Sequence, residues 1–339
     1  MEPCFLTAAR AAARHTNASL TALLFAAISL GFGASSASGQ SYPAKPIRII
    51  VPSPAAGGAD LLARTVAQKL TERLGQQVVV DNRPGASGNL GMELAAKAAP
   101  DGYTIATGSA TNLAINPTLY RKLPYDAIKD FAPISMGALF THLLVVHPTV
   151  PARSIKELIA LLKSTKAEPT YASAGPGTPT HLAGVMFASR AGIRMVHVPY
   201  KGAAPALTDL LGGHVSVMFP PLPVALPHLG SGRFRVLGVT SASRLTSYPD
   251  IPTIAESGFP GYEAIAWNGF VAPAATPKDV VARLSSEIGT VIKMPDVKER
   301  LSADGSTPMA NSPEEFSSFI KTELEKWGRV IKASGAYVD

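Results

Sequence analysis

The residues most capable of chemistry in this sequence are small ones, in four loops that each join an apolar run to a helical pattern. The loops contain Ala56-Gly57-Gly58, Gly85-Ala86-Ser87-Gly88, Gly175-Pro176-Gly177-Thr178 and Lys201-Gly202. In each loop, backbone N–H groups stand at the start of a helix, where unpaired amides and the positive end of the helix dipole favour an anion. A single loop of this kind is a connector, but four of them favour a binding cleft.

The elements that must position these loops alternate between strand and helix. Predicted strands at residues 47–51, 78–80 and 103–107, with helical patterns between them, form a βαβαβ unit, the half-module of a doubly wound sheet. On the second helix of this unit, Leu90 and Leu94 are expected to face inward. Since ligands of open α/β sheets bind outside the carboxyl ends of the strands, the glycine loops are expected to meet at one edge.

A second α/β unit is predicted to follow the first. Its strands are expected at residues 142–146, 171–174, 196–198, 215–219 and 234–239. Ser154, three residues before a glutamate, is typical of a capping box at the start of its first helix. With loops from both units facing one cleft, closure of the units about a hinge would bury a ligand between them.

The C-terminal part of the chain is predicted to contain one more strand, at residues 267–273, and two capped helices. Thr276 and Ser312 each precede a proline, which favours them as N-caps. The last predicted helix has an apolar face, which must pack against a sheet to be buried. We therefore expect it to return to the first unit, so that the chain crosses between units near residues 140–148 and 264–272.

The N-terminal residues have the layout of a secretory signal peptide. Arg10 and Arg14 precede an apolar stretch, 20–32, and a run of small residues, 34–39. The apolar stretch is shorter than the roughly 18 to 20 residues that a membrane span requires. We expect residues 1–39 to be removed and the remaining chain to be a soluble protein of a bacterial periplasm.

Size, charge and cysteine content narrow the class of protein further. The roughly 300 residues left after cleavage exceed the size at which one core usually stops growing, so two domains are expected. The net charge is +7, but the lysines and arginines are dispersed, which gives no support to nucleic-acid binding. The only cysteine, Cys4, lies in the predicted signal peptide, so no internal disulfide is expected.

Signatures of catalysis, cofactors and metals are missing from the sequence. It contains no GxSxG elbow, no P-loop, no HExxH and no GxGxxG after the first predicted strand, so we expect no enzyme activity, no cofactor and no metal site. The exposed serine of a glycine loop, Ser87, leaves a periplasmic hydrolase as a minor alternative. That reaction would need a histidine base beside Ser87, which the sequence does not place there.

Five ordered motifs together resemble one family. They are IIVPSPAAGGAD at 49–60, DNRPGASGNLG at 81–91, APDGY at 99–103, HVPYKG at 197–202 and ALTDLLGG at 206–213. This set closely resembles the Bug family, the periplasmic substrate-binding proteins associated with tripartite tricarboxylate transporters. The resemblance covers essentially the whole chain after the signal peptide.

The resemblance implies an α/β protein of two lobes, a Venus flytrap of type II that closes on a small carboxylate. The implied first lobe is residues 40–141 plus 265–339, and the second is 142–264. In the family, loops hold the carboxylate largely through backbone amides and bridging waters. The ligand-binding residues implied here are Ser53, Pro54, Ala55, Ala56, Gly57, Asp60, Ser109, Ala110, Asn112, Ser173, Gly175, Thr178, His181, Lys201 and Pro220.

Two departures from the family pattern bear on the ligand. Position 53 is commonly aromatic in relatives, whereas Ser53 should widen or wet the pocket. Where relatives often have Asp-Asn, this chain has Pro220 and Pro221, which removes a carboxylate that could meet an ammonium group. The expected ligand is therefore an anion without a compensating positive charge, such as a di- or tricarboxylate or an aromatic acid.

The sequence leaves two possible roles open for each of three residues. His181 either contacts the ligand or packs at the start of its helix. Arg83 either reaches the ligand or pairs with Asp81 or Asp101. Trp267 either walls the cleft or belongs to the core beside the crossover strand.

The resemblance implies a partner in the membrane. Delivery of the ligand to the permease of a tripartite tricarboxylate transporter is the expected role, and presentation of the ligand to a sensor kinase is the alternative. Both roles use the same cleft and the same closure. A monomer is expected.

Overall fold

The computed structural model describes residues 42–165, 169–303, 305–335 and 337. The predicted signal peptide, 1–39, lies outside the described residues. All elements named below belong to one compact unit, Pro43–Asp339. No helix among the described residues is both long and apolar enough to cross a membrane.

Strands of the described residues form two sheets. In chain order they are β1 (Ile47–Val51), β2 (Val78–Asn82), β3 (Thr104–Ser109), β4 (Phe131–Phe140), β5 (Leu143–Val146), β6 (Thr170–Ser173), β7 (Val196–Pro199), β8 (Val217–Met218), β9 (Arg235–Val239), β10 (Ala266–Pro273) and β11 (Ser306–Pro308). The first sheet has the order β11-β4-β10-β3-β1-β2, and the second has the order β7-β6-β8-β5-β9.

Helices flank both sheets. Those of the described residues are α1 (Gly58–Leu74), α2 (Asn89–Ala96), α3 (Asn116–Leu119), α4 (Ile155–Ser164), α5 (Pro179–Ala191), α6 (Ala203–Leu211), α7 (Leu222–Ala225), α8 (Lys278–Lys293), α9 (Pro295–Ala303) and α10 (Pro313–Ser334). A 3-10 turn at Ala86–Gly88 precedes α2, and a π turn at Thr111–Ile115 runs into α3. A further 3-10 turn, Leu226–His228, follows α7.

In the first sheet, β1 pairs in parallel with both β2 and β3, and α1 and α2 connect them. This is the βαβαβ unit that the sequence predicts, and the prediction is confirmed. Because the three strands are parallel, the loops that follow them lie at the same edge of the sheet. The antiparallel strand β10 completes the middle of the sheet by pairing with β3 and β4.

In the second sheet, β6 pairs in parallel with β7 and β8, while β5 runs antiparallel to β8 and β9. The chain enters this sheet after β4 and leaves it before β10. The fold is therefore a two-lobed α/β fold with two mixed sheets. We keep the lobe boundaries, 40–141 plus 265–339 and 142–264, as a proposal that this strand membership supports.

The last helix, α10, packs on β4 of the first sheet, as its apolar face requires. Trp267 of β10 is 1% exposed, and its indole Nε1 donates to the carboxylate of Glu323 on α10 at 3.1 Å. The indole of Trp327 donates to the same oxygen at 3.1 Å. Of the two interpretations of Trp267, the structure supports the core residue.

Two local predictions about helix α2 are wrong. Leu90 and Leu94 were expected to face inward, but they are 56% and 39% exposed. The inward face instead carries Gly91, Met92 and Ala95. A side chain at Gly91 would lie 2.7 Å from the backbone oxygen of Arg83, so only glycine allows this close approach.

The predicted N-caps Ser154 and Ser312 are confirmed, whereas the predicted N-cap Thr276 is wrong. The Ser312 hydroxyl accepts a hydrogen bond from Glu315 N at 3.1 Å in a complete capping box. The Ser154 hydroxyl likewise accepts one from Glu157 N. Helix α8 begins one residue later than predicted, with Pro277 as its N-cap, because Pro277 is still extended at ψ 139°. The buried hydroxyl of Thr276 therefore has no hydrogen-bond partner among the described residues.

Candidate functional site

A pocket of ≈ 350 Å³ lies at the carboxyl edge of β1, β2 and β3. The loops that follow these three strands supply most of its wall, and β3, β10 and the start of α1 supply the rest. Its lining residues are Pro52, Ser53, Pro54, Ala59, Pro84, Gly85, Ser87, Gly88, Thr107, Ser109, Thr111, Asn112 and Asn268. The glycine loops after β1 and β2 thus meet in one pocket.

Asn112 locks two of these loops together. Its side-chain Nδ2 donates to the backbone oxygen of Ser87 at 2.9 Å. Its Oδ1 accepts a hydrogen bond from the Ser109 hydroxyl at 2.7 Å. The hydroxyl of Tyr120 donates to Ser87 Oγ at 3.0 Å. The loop after β2 is therefore held from two sides.

Glycine at position 88 is required by this arrangement. Gly88 has φ +88°, a conformation that favours glycine. A side chain there would meet Asn112 Nδ2 at 2.5 Å and the backbone oxygen of Pro52 at 2.8 Å. All three loops therefore touch around this one residue.

Asp60, at the start of α1, shapes the loop after β1. The residue is 3% exposed, and its carboxylate accepts hydrogen bonds at 2.9 Å from Ala56 N, Arg64 Nε and Asn82 Nδ2. Burial raises the pKa of Asp60, but the hydrogen bonds from Arg64, Ala56 and Asn82 outweigh it and hold the pKa below its usual value. Since the Ala56 amide is already bonded to Asp60, this carboxylate positions the loop.

The wall of the pocket carries hydroxyl and amide groups and no ionisable side chain among the described residues. Such a wall can recognise a carboxylate through hydrogen bonds, without the desolvation of an ion pair. Four polar residues of the wall are not among the ligand-binding residues implied by the resemblance: Ser87, Thr107, Thr111 and Asn268. Asn268 reaches the pocket because β10 pairs with β3, with Asn268 opposite Ser109. The signal that could have revealed it is the register of the crossover strand.

The glycine loop of the second lobe, residues 173–178, satisfies most of its own polar groups. Gly175 N donates to the Ser173 hydroxyl at 3.0 Å. The hydroxyl of Thr178 donates to Gly175 O at 2.7 Å, and Thr178 is also the N-cap of α5. Gly177 N donates to the ring nitrogen Nδ1 of His181 at 3.1 Å.

Two histidines stack behind this loop. The rings of His181 and His197 have centroids 4.1 Å apart, and His197 Nε2 lies 2.6 Å from Ser173 Oγ. Burial, with a smaller effect of His197, lowers the pKa of His181 to about 4. Burial also lowers the pKa of His197. With a pKa this low, His181 is neutral at pH 7, so its Nδ1 can accept from Gly177.

The second-lobe loop touches the first lobe beside the pocket. A side chain at Gly177 would lie 2.1 Å from Leu119 Cδ2, and Leu119 is the neighbour of Tyr120. Lys201 is exposed after β7, and Pro220 is buried with its carbonyl accepting a hydrogen bond from Leu143 N. These two residues do not line the ≈ 350 Å³ pocket.

The structure thus brings together only some of the residues implied by the resemblance. Four of them line the pocket: Ser53, Pro54, Ser109 and Asn112. Five others lie in the same loops or at the start of α1 without lining it: Ala55, Ala56, Gly57, Asp60 and Ala110. The six from the second lobe lie outside its wall: Ser173, Gly175, Thr178, His181, Lys201 and Pro220. Ligand contact by any of these residues stays a prediction.

Other candidate residues have structural partners. Arg83 Nε lies 3.0 Å from Asp81 Oδ1 in an ion pair, which was one of its two interpretations. His142 is fully buried, which lowers its pKa to about 4. No group of three or more His, Cys, Asp and Glu side chains in the described part of the chain could hold a metal ion.

Two mixed α/β sheets joined by two crossovers, with a loop pocket at the carboxyl ends of parallel strands, define a two-lobed solute-binding protein. The family model described as the tripartite tricarboxylate transporter family receptor, TctC, matches residues 62–336. The chain belongs to this family, as its resemblance to the Bug proteins indicates. The proteins it resembles in sequence and fold are solute-binding proteins, which are not enzymes.

Relatives of known sequence support this assignment over most of the chain. The protein of the tcbD–tcbE intergenic region of Pseudomonas sp. strain P51 is 39% identical over 312 residues, which is 91% of this chain and 93% of the relative. BugT of Bordetella pertussis is 37% identical over 300 residues, 88% of this chain and 92% of BugT.

Solved structures of similar proteins support the same family assignment. A protein described as a periplasmic transporter is 38% identical, with a TM-score of 0.76 over 88% of this chain and 100% of its own. An R. palustris protein solved with adipate is 35% identical, with a TM-score of 0.76 over 87% of this chain and 98% of its own. MatC of Rhodopseudomonas palustris, solved with bound malate, is 28% identical, with a TM-score of 0.73 over 86% of this chain and 100% of its own.

Proposed function

We propose that this protein captures a small dicarboxylate or tricarboxylate between its two lobes in the periplasm and delivers it to a tripartite transporter in the membrane. The observation that carries the proposal is the pocket at the ends of β1, β2 and β3, whose wall carries hydroxyl and amide groups but no ionisable side chain among the described residues. Two structural relatives with 35% and 28% identity were solved with adipate and with malate, both small dicarboxylates.

The wall also argues against an amino acid as ligand. An ammonium group buried in this pocket would need a carboxylate partner, and none lines it among the described residues. Pro220 and Pro221 stand where relatives often carry an aspartate. A carboxylate ligand, by contrast, finds a hydroxyl donor at Thr111 and an amide donor at Asn268.

The test of the ligand class is a thermal-shift screen of the purified protein. The ligands are succinate, adipate, malate, citrate and phthalate, with aspartate, glutamate and sugars for comparison. A ligand at 100 times its dissociation constant adds about 2.7 kcal/mol to the free energy of unfolding. We expect stabilisation by one group of carboxylates and none by aspartate or glutamate. Tighter binding of the amino acids would contradict the proposal.

The test of delivery is uptake in the source bacterium. A strain that lacks this protein should lose uptake of the radiolabelled dicarboxylate found in the screen, and the intact protein should restore it. If uptake persists while ligand binding in vitro is tight, the protein presents its ligand to another membrane partner, such as a sensor kinase.

A further inference from the structure

A second and larger cavity, of ≈ 1070 Å³, lies between the C-terminal halves of α5 and α10, and we call it the α5–α10 groove. Helix α5 follows β6 of the five-stranded sheet, whereas α10 packs on β4 of the six-stranded sheet. One wall of the groove therefore comes from each lobe. No residue of the four glycine loops lines it.

The groove carries positive charge on both walls. Arg190 and Arg194 line it from α5 and the segment after it, and Lys326 and Arg329 line it from α10. No carboxylate of the described residues lines the groove. Like charges gathered around one cavity repel each other, and an anion bound among them relieves this repulsion.

The charge of Lys326 is already countered. Its Nζ is paired with the Glu323 carboxylate, which also accepts hydrogen bonds from the indoles of Trp267 and Trp327. The guanidinium of Arg190 donates to the backbone oxygen of Pro260 at 3.0 Å, a neutral acceptor that fixes the side chain without cancelling its charge.

Two cations are free to meet a ligand. Arg194 and Arg329 are exposed, and no ion pair joins either of them to a described residue. Glu325 stands one helical turn before Arg329 on α10 without forming an ion pair with it. With Arg190, these arginines leave three uncompensated charges at the groove.

Apolar side chains form part of the wall between the cations. Tyr171 and Met186 are 3% and 5% exposed, and both line the groove. Ile193, Met195 and Val330 add partly exposed apolar surface. Methionine side chains adapt to ligands of irregular shape. A surface that is apolar at its base and cationic at its rim matches a molecule with an apolar body and an acidic group.

We propose that the α5–α10 groove is a second binding site, for an organic anion that combines an acidic head group with an apolar body. The acidic group binds Arg194 and Arg329, since arginine forms strong charge-assisted hydrogen bonds with carboxylates and sulfonates. The apolar body lies on Met186 and Val330. The proposal does not depend on the identity of the ligand in the first-lobe pocket.

The test uses the fluorescent probe 1-anilinonaphthalene-8-sulfonate, which has one sulfonate on an aromatic body. Titration of the full protein should show saturable fluorescence with one probe per protein. N-phenyl-1-naphthylamine, the matching probe without the sulfonate, should bind about tenfold more weakly, because it lacks the charge that the arginines recognise. Equal binding of both probes would mean that the groove is only an apolar patch, and would overturn the proposal.

A pair of matched variants tests whether the probe binds in the α5–α10 groove. The double variant Arg194→Glu/Arg329→Glu should weaken sulfonate binding about tenfold or more. Arg233→Glu/Lys278→Glu, which makes the same change of charge at exposed positions outside the groove, should leave it unchanged. Both variants change exposed residues, and equal thermal melting temperatures would show that both are folded.

Competition separates this site from the first-lobe pocket. Saturating amounts of the dicarboxylate identified by thermal shift should leave the probe bound. Complete displacement with competitive kinetics, or equal loss of binding in the two double variants, would contradict a separate site. If no dicarboxylate binds at all, the proposed transport ligand fails, while the probe titrations still decide whether the groove is a site.

Discussion

The glycine loops of the two lobes are alike in sequence pattern but differ in how their polar groups are used. Around the first-lobe pocket, Asn112 and Asp60 hold three loops in place and leave hydroxyl and amide groups along the wall. In the second lobe, Ser173, Thr178 and His181 bond to the backbone of their own loop.

This difference indicates that the loops of the two lobes have different roles. The first lobe presents a pocket that is formed in advance, and a preformed site loses little conformational entropy when it binds. The second lobe presents a compact loop that packs beside the pocket at Leu119. We therefore expect changes in the first lobe to remove binding, and changes in the second lobe to weaken closure.

The largest effect is expected at Gly88. Gly88→Ala places a Cβ atom 2.5 Å from Asn112 Nδ2 and 2.8 Å from the backbone oxygen of Pro52, so the three loops must separate. We expect affinity for the dicarboxylate to fall about 100-fold, equal to about 2.7 kcal/mol. Isothermal titration calorimetry measures the affinity of the variant and of the unchanged protein.

Gly75→Ala is the control for this prediction. Gly75 lies in the same lobe at φ +66°, but a side chain there would meet no atom within 4 Å. It should lose about 1 kcal/mol of stability and keep its affinity. Equal affinities of the two variants would show that the contact of the three loops is not needed for binding.

Acid is expected to destabilise the protein through the second-lobe histidines. The folded pKa of His181 is about 4, against 6.5 in the unfolded chain, so the unfolded state binds more protons between these values. Stability should fall as the pH falls from 6.5 towards 4, by about 2 kcal/mol at pH 5 for this residue alone.

Urea unfolding at pH 7 and pH 5 measures this loss. His181→Asn should show a smaller loss than the unchanged protein, whereas the exposed His214→Asn should show the same loss. An unaltered pH dependence in His181→Asn would contradict the assignment. The wall of the first-lobe pocket contains no histidine, so its loops have no equivalent response.

A smaller effect on affinity is expected at Gly177. Gly177→Ala brings a Cβ atom to 2.1 Å from Leu119 Cδ2. The end of a leucine side chain can rotate away, so the lobes should still approach, with affinity reduced about tenfold, or about 1.4 kcal/mol. Gly192→Ala, at φ +61° in open space, is the control for the backbone strain alone. Equal effects of the two variants would argue against contact between the lobes here.

The smallest expected effect is on stability, and it comes from a comparison of two threonines. Thr107 in the first lobe has a buried hydroxyl without a hydrogen-bond partner among the described residues, whereas the Thr180 hydroxyl accepts a hydrogen bond from Ala174 N at 2.9 Å. Thr107→Val should therefore be neutral or stabilising, and Thr180→Val should cost about 1 kcal/mol. Thermal unfolding without ligand measures both. A loss of stability in Thr107→Val alone would contradict the comparison.

Local patterns in the sequence are sufficient to predict the frame of the site. Glycine loops after the apolar runs at β1 and β2 predict the loops that form the pocket, because strand ends and helix starts are coded by neighbouring residues. Strand β4 was missed, since it contains Pro133 and has residues buried on both faces, so its sequence does not alternate.

The composition of the pocket wall was harder to predict. Thr107 and Asn268 come together only because β10 returns from the other sheet and pairs with β3. The exposure of Leu90 was also missed, because it depends on the close packing of Gly91 against the backbone of Arg83. Contacts between distant segments decide both features, and a periodic pattern does not contain them.

Hydrogen–deuterium exchange with and without the dicarboxylate found by thermal shift tests the central claim most directly. If the first-lobe pocket is the preformed half of the site, the backbone amides of residues 53, 55–57, 85–88 and 109–112 should gain the strongest protection. The loop 173–178 should gain less, since most of its hydrogen bonds exist before the ligand arrives. Protection confined to the second lobe, or found only in the α5–α10 groove, would contradict the account.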